Sequence, residues 1–135
     1  MNKIISKNIL CIFLGIFLNV AAFATSGQAY LDKFMQYTKW SLNLPTVPDK
    51  AFIEFINGTT PLSKKLREKW LYQLAYNKNW SDFSRYYQPS TDINLQCYSY
   101  LALYQQGHQQ ESVQAAKKLW LTGDTQPKAC DQDRK

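Results

Sequence analysis

The strongest constraint on this chain is a helical period that recurs, segment after segment, between residues that stop and start helices. Leu62, Leu66, Trp70, Leu71, Leu74 and Ala75 fall at spacings of three and four, which places them on one helical face. Thr60-Pro61 supplies an N-cap followed by proline at the first helical position, where the missing N–H has no partner to lose. The other face of that helix holds Lys64, Lys65, Arg67, Glu68 and Lys69. Asp49 caps a shorter helix carrying Phe52, Ile53 and Ile56, which Asn57-Gly58 stops. A turn at residues 77–79 leads to a helix with Trp80, Phe83, Tyr86 and Tyr87, ended by Pro89.

The pattern continues. Asp92 opens a helix with Leu95, Tyr98, Leu101 and Ala102 on one side, and Gly107 is its left-handed C-terminal residue. A last helix over about Gln110–Leu121 is expected to bury Val113, Ala116, Trp120 and Leu121 and to stop at Gly123. Gln28–Trp40 forms one more, followed by a loop through Pro45 and Pro48. No stretch alternates with period two, so the expected fold class is all-α, without a sheet.

Short turns between amphipathic segments give antiparallel helix hairpins. A shift of thirty residues lays Leu74 on Tyr104, Phe83 on Val113 and Tyr86 on Ala116. The echo is too ragged for a tetratricopeptide array, whose period is about 34 residues, but it fits the start of an irregular α-superhelix, or solenoid. With only two or three pairs, the last one is expected to leave an apolar face bare.

The N-terminus reads as an export signal. Lys3 and Lys7 precede an uncharged run over Ile9–Val20, and Ala22-Phe23-Ala24 offers the small–x–small pattern that a signal peptidase reads. Cleavage is expected after Ala24, with a domain over residues 25–135 and a periplasmic location. A permanent membrane anchor is the competing reading, but a span needs about 20 apolar residues and Asn19 interrupts this one. Cys11 lies inside the apolar run behind Leu10, which does not suit a lipid-modified cysteine.

Removing residues 1–24 takes away two lysines and no acids, leaving 14 basic against 10 acidic residues, a net charge of +4 over 111 residues. That balance favours anionic polymers without naming one, and export with no recognised motif argues against a nucleic-acid partner. Two cysteines remain, Cys97 and Cys130. An even pair in an exported domain is most simply a disulfide, worth roughly 3–4 kcal/mol by loop-closure entropy. Two separate buried thiols are the alternative. A zinc site is poorer still, because two distant cysteines and one histidine do not supply its ligands, and no metal or cofactor is expected.

No catalytic set stands out. His108 follows Gly107 in a turn, with Glu111 the nearest acid and no serine or cysteine in a nucleophile motif. Asp49 and Asp92 occupy cap positions, and Glu54, Glu68 and Glu111 lie among polar helix positions rather than as a facing pair of carboxylates. Trp40, Trp70, Trp80 and Trp120 could stack on sugars, but their helical spacing makes them core residues first. The Lys64, Lys65, Arg67 and Lys69 cluster reads as a solvated face. As a binding site it would suit the acidic peptide stems of peptidoglycan. Asn57-Gly58-Thr59 matches a glycosylation sequon and is taken as chance in a bacterial export context.

Lys117–Asp131, KKLWLTGDTQPKACD, resembles a segment in the N-terminal helical domain of soluble lytic murein transglycosylases, where a helix ends in L-W-L-T-G followed by x-x-Q-P-x-A-C-D. The matching residues are Leu119, Trp120, Leu121, Thr122, Gly123, Gln126, Pro127, Ala129, Cys130 and Asp131. Upstream, Gln96-Cys97 with Tyr100 and Ala102 resembles that family's Q/R-C-x-x-Y-x-A helix. Leu74-Ala75 with Trp80 resembles its L-A-x-x-x-x-W element, and Pro61-Leu62 with Leu66 fits the helix before it. The similarity runs from about Asp49 to Asp131 and is sharpest over its last fifteen residues.

The resemblance implies a periplasmic family that cleaves the N-acetylmuramic acid–N-acetylglucosamine bond and leaves a 1,6-anhydromuramic end. In that family a ring-shaped helical superhelix carries a lysozyme-like domain at its C-terminus, where one glutamate acts as acid and then base. The resemblance also implies pairing of Cys97 with Cys130. The catalytic motifs E-S, G-L-M-Q-I-x-P and A-Y-N-A-G are absent here, so no glutamate of this chain inherits that role. The sequence ends at Lys135, and Gln132-Asp133-Arg134-Lys135 departs from the hydrophobic continuation of the family.

The expectation is therefore a non-catalytic helical scaffold corresponding to the start of such an enzyme, truncated or split before its catalytic domain and inactive alone. The remainder of a lytic transglycosylase, encoded separately, would be its partner. A stand-alone periplasmic adaptor holding peptidoglycan or a protein is the alternative. A small enzyme of another type lacks a convergent nucleophile, base or metal set.

Overall fold

The computed structural model describes residues 26–121 and Cys130. The proposed cleavage site at Ala24, the stop at Gly123 and the Thr122–Ala129 and Asp131 portions of the family-like string lie outside the described residues. Six helices and no strands occur among the described residues. Helix α1 covers residues 26–42 and belongs to a compact unit distinct from the one that begins at Asn43. It carries local bonds of its own, from Gln28 Nε2 to Asp32 Oδ1 at 2.9 Å and from Thr38 Oγ1 to the Phe34 carbonyl at 2.9 Å.

The second unit is built from α2 (Lys50–Ile56), α3 (Pro61–Tyr76), α4 (Trp80–Tyr86), α5 (Ile93–Gln105) and α6 (Gln109–Trp120). Each successive helix packs on the one before it, and α3 also packs on α5, so the first helices of neighbouring hairpins lie side by side. This is how a solenoid propagates its core. The helix starts are those that the side chains dictate. Asp49 Oδ1 accepts from the Phe52 N–H at 2.7 Å, Thr60 Oγ1 from Ser63 N–H at 3.2 Å, and Asn79 Oδ1 from Asp82 N–H at 3.3 Å. Asp92 Oδ1 accepts from the N–H groups of Asn94 and Leu95 at 2.9 and 3.5 Å. Pro61 stands at the first turn of α3 as expected.

Two helix ends share one construction. After α5, Gly107 takes φ +90°, its N–H reaches the Tyr104 carbonyl at 3.1 Å, and the His108 N–H reaches Leu103 at 2.9 Å. After α3, Lys78 takes φ 55°, its N–H reaches Ala75 at 3.0 Å, and the Asn79 N–H reaches Leu74 at 2.9 Å. Both are Schellman ends, which close the last carbonyls with a left-handed residue. Gly107 fits that backbone without strain, whereas Lys78 carries a Cβ there at a cost of about 1–2 kcal/mol.

The core is centred on α3. Trp70, Leu66 and Leu71 are buried with Phe52, Phe55 and Ile56 of α2, Phe83 of α4 and Leu95 of α5. Trp70 meets Phe52 edge-on and Tyr86 at a tilt, each at 5.2 Å between ring centroids, and its Nε1 donates to the Pro45 carbonyl at 3.0 Å. One indole thereby joins α2, α3, α4 and the loop before α2. In α2 the structure buries Phe55 where the spacing favoured Ile53, which is only half-buried.

Two expectations need correction. The last helix was expected to bury Val113, Ala116, Trp120 and Leu121. Instead α6 buries only Ser112, Ala116 is half-buried, and Val113, Trp120 and Leu121 are 45, 50 and 86 % exposed. The reason is topological: α5 is the main neighbour of α6 among the described elements, and one neighbour covers one narrow stripe. The thirty-residue echo does not carry over to burial, since Phe83 is fully buried and Val113 is not. The tryptophans divide likewise, with Trp70 in the core, Trp40 and Trp80 half-buried, and Trp120 outside.

Candidate functional site

The second correction concerns the basic cluster on α3. Lys64, Lys65 and Lys69 are exposed, but Arg67 is 7 % exposed and belongs to the buried side. Its Nη1 donates to the Ile56 carbonyl, the last residue of α2. The spacing already allowed this, because Arg67, Trp70, Leu71 and Leu74 fall at intervals of three and four. A cation at a helix C-terminus also meets carbonyls that lack intrahelical donors. Burial lowers the Arg67 pKa, with the neighbouring Glu68 carboxylate opposing the shift. Arg67 is thus a strut between α2 and α3, and the exposed basic side chains among these four are Lys64, Lys65 and Lys69.

Glu68 anchors that surface to the loop before α5. Its Oε1 accepts from Ser90 Oγ at 2.9 Å and lies 3.9 Å from Lys64 Nζ. Ser90 Oγ accepts from the Asp92 N–H at 3.1 Å, and Gln96 Nε2 donates to the Ser90 carbonyl at 2.7 Å. Asp92 also accepts from the Tyr72 hydroxyl at 2.6 Å. Burial pushes the Tyr72 phenol upward, reinforced by that hydrogen bond. For Asp92, burial raises the carboxyl, but bonds from Tyr72, Asn94 and Leu95 outweigh it and hold the group below its ordinary value. Spacing alone gives no hint of the Tyr72–Asp92 pair, which joins α3 to the N-cap of α5.

The other acids serve local structure. Glu54 pairs with Lys50 at 3.7 Å, and Asp82 with Arg85 at 3.8 Å, both on the surface. His108 Nδ1 lies 3.8 Å from Glu111 Oε2 with both side chains largely exposed, as the turn position suggested. Among the described residues, no group of three His, Cys, Asp or Glu side chains could hold a metal ion. No described helix is long and apolar enough to cross a membrane.

Between α5 and α6 lies a hollow of about 40 Å³, lined by Cys97, Tyr100, Leu101, Ser112, Ala116 and Trp120 among others. Sites that bury a small ligand enclose roughly 300–1,000 Å³, so this hollow is too small for a sugar ring. Cys97 and Cys130 stand beside it with Cα atoms 5.0 Å apart, within the 4.4–6.8 Å that a disulfide spans. A second depression, over Gly107–Glu111 and Gln114, is shallow and open to solvent.

These features define a stacked helix-hairpin module of the solenoid kind with exposed lysines on α3. The comparisons place it more narrowly. The chain is 35 % identical over 104 residues to the soluble lytic murein transglycosylase of Escherichia coli strain K12, and 32 % over 105 residues to that of Salmonella typhimurium strain LT2. It superposes with a TM-score of 0.65 and 31 % identity on the 70-kDa soluble lytic transglycosylase solved in complex with bulgecin A, covering 74 % of this chain and 17 % of that one. No family model matches the sequence. The matches cover 75–76 % of this chain but 16 % of each relative, so the chain spans about a sixth of their length. This chain is therefore a relative of the soluble lytic murein transglycosylases and corresponds to a stretch of their helical region.

Proposed function

We propose that this chain acts in peptidoglycan turnover in the periplasm as a non-catalytic helical scaffold, related to the part of a lytic transglycosylase that supports the murein-cleaving centre. The observation that carries the proposal is the 35 % identity to a soluble lytic murein transglycosylase, taken with a fold that uses its acids as caps and surface partners. On this reading residues 1–24 direct export and are cleaved after Ala24, and oxidation joins Cys97 to Cys130. Peptidoglycan is the polymer contacted, through its acidic peptide stems and the exposed Lys64, Lys65 and Lys69. The remainder of a lytic transglycosylase, if separately encoded, completes the enzyme.

Co-sedimentation with purified sacculi tests the polymer contact. The chain from residue 25 should pellet with sacculi at low salt and dissociate as ionic strength rises, because exposed charges are screened. Replacing Lys64, Lys65 and Lys69 together by glutamine should abolish pelleting without changing the melting temperature by more than about 2 °C, since surface substitutions cost little. Retention of the triple variant on sacculi would refute the assignment of those lysines.

A further inference from the structure

We propose that α6 is a conditionally folded element, held in place by the Cys97–Cys130 link and released when that link is reduced while α2–α5 stay folded. This rests on the pairing given above. Four observations bear on how firmly α6 is held. It buries one residue, Ser112, as the shorter α4 does with Phe83, where α3 buries seven and α5 four. Its N-cap, His108, makes no side-chain capping bond, whereas α2, α3, α4 and α5 are each capped by Asp49, Thr60, Asn79 or Asp92. It has 12 residues, and like the shorter α2 and α4 it needs packing to persist, since isolated helices under about 12–15 residues are marginal in water. Finally, one side of its contact with α5 is the hollow beside the cysteines, leaving the hydrogen bond from Ser112 Oγ to the Tyr100 carbonyl, at 2.7 Å, as a polar tie.

Some features favour α6. Glu111 in its first turn and Lys117 and Lys118 in its last suit the helix dipole, but each contributes only a small surface effect. The covalent link is larger. Cys97 is on α5 and Cys130 lies beyond α6, so the 33-residue separation encloses the whole helix and its turn. Closing a loop of that length favours the closed state by on the order of 10²–10³-fold in the chain-entropy model. In an oxidising compartment α6 is docked. In a reducing one the thiols separate, with two electrons and two protons supplied by a dithiol reductant, and α6 keeps only its packing on α5 and the Ser112 tie.

The test is amide hydrogen exchange read by mass spectrometry on the chain from residue 25, oxidised and after treatment with dithiothreitol. Thiol labelling counts free cysteines in each sample. We expect no free thiol before reduction and two after it. Exchange across residues 109–120 should accelerate by about 10²-fold or more on reduction, with residues 61–76 unchanged. A Cys97→Ser, Cys130→Ser double variant should match the reduced chain, and in-place reduction of the native chain keeps the test valid if that variant fails to fold. Free thiols in the untreated protein, equal exchange of residues 109–120 in both states, or loss of protection across α3 together with α6 would each overturn the proposal.

Discussion

Trp70 offers the sharpest test of how the second unit is held together. It is fully buried, touches Phe52 and Tyr86 at 5.2 Å, and donates its indole N–H to the Pro45 carbonyl. Trp70→Ala removes both ring contacts, the hydrogen bond and most of the side-chain volume, a loss of about 3–5 kcal/mol. Trp70→Phe keeps a ring against Phe52 but strips the donor. The Pro45 carbonyl is then left with Gln73 Nε2 at 3.5 Å, so the expected loss is about 1–2 kcal/mol. Urea unfolding followed by far-UV circular dichroism separates the two. With a slope near 2 kcal/mol/M, the midpoint should fall by roughly 2 M for alanine and 0.5–1 M for phenylalanine. An alanine variant within about 1 kcal/mol of the parent would refute Trp70 as the hub, and equal losses would show that the loop anchor, not packing, dominates.

The remaining predictions use the same assay. Arg67→Met should cost about 1–3 kcal/mol by removing the donor to Ile56, and Arg67→Lys should recover part of it; a neutral Arg67→Met would contradict the strut. Lys78→Gly should raise stability by about 0.5–1 kcal/mol because its φ of 55° suits glycine, while Gly107→Ala should lower it by about 1 kcal/mol; the opposite signs would refute the shared helix ending. Asp92 has a folded pKa below its unfolded one, so its contribution is present above the ordinary carboxylate range and lost as pH falls through the lowered value. Asp92→Asn keeps an N-cap residue, should cost about 1 kcal/mol at pH 7, and should flatten the acid limb of the stability curve below about pH 4; an unchanged limb would contradict the Tyr72–Asp92 pair.

The helices were legible because their signals are local. Asp49, Thr60 and Asp92 cap where side-chain chemistry says they must, and Gly107 takes the left-handed conformation that its place after a periodic run requires. Lys78 was not legible, since nothing in its side chain advertises a positive φ; only the recurrence of the α3 ending at α5 explains it. Arg67 misled because charge was weighed above position: its spacing from Trp70 and Leu74 already put it on the buried stripe. Val113 and Trp120 misled for the opposite reason, because periodicity marks an apolar face without saying which neighbour covers it. The sequence offers Lys64, Lys65, Arg67 and Lys69 as one basic face, and packing removes Arg67 from it; the bonds from Ser90 to Glu68 and from Tyr72 to Asp92 likewise depend on how the helices pack.

The central claim, a scaffold related to a murein-cleaving enzyme but without its chemistry, is tested most directly by its products. Purified sacculi incubated with the oxidised chain from residue 25 are analysed for soluble muropeptides by liquid chromatography and mass spectrometry. The prediction is no release of 1,6-anhydromuropeptides above the buffer control. Their time-dependent release, in proportion to the amount of chain added, would contradict the scaffold role and place a catalytic acid within these residues.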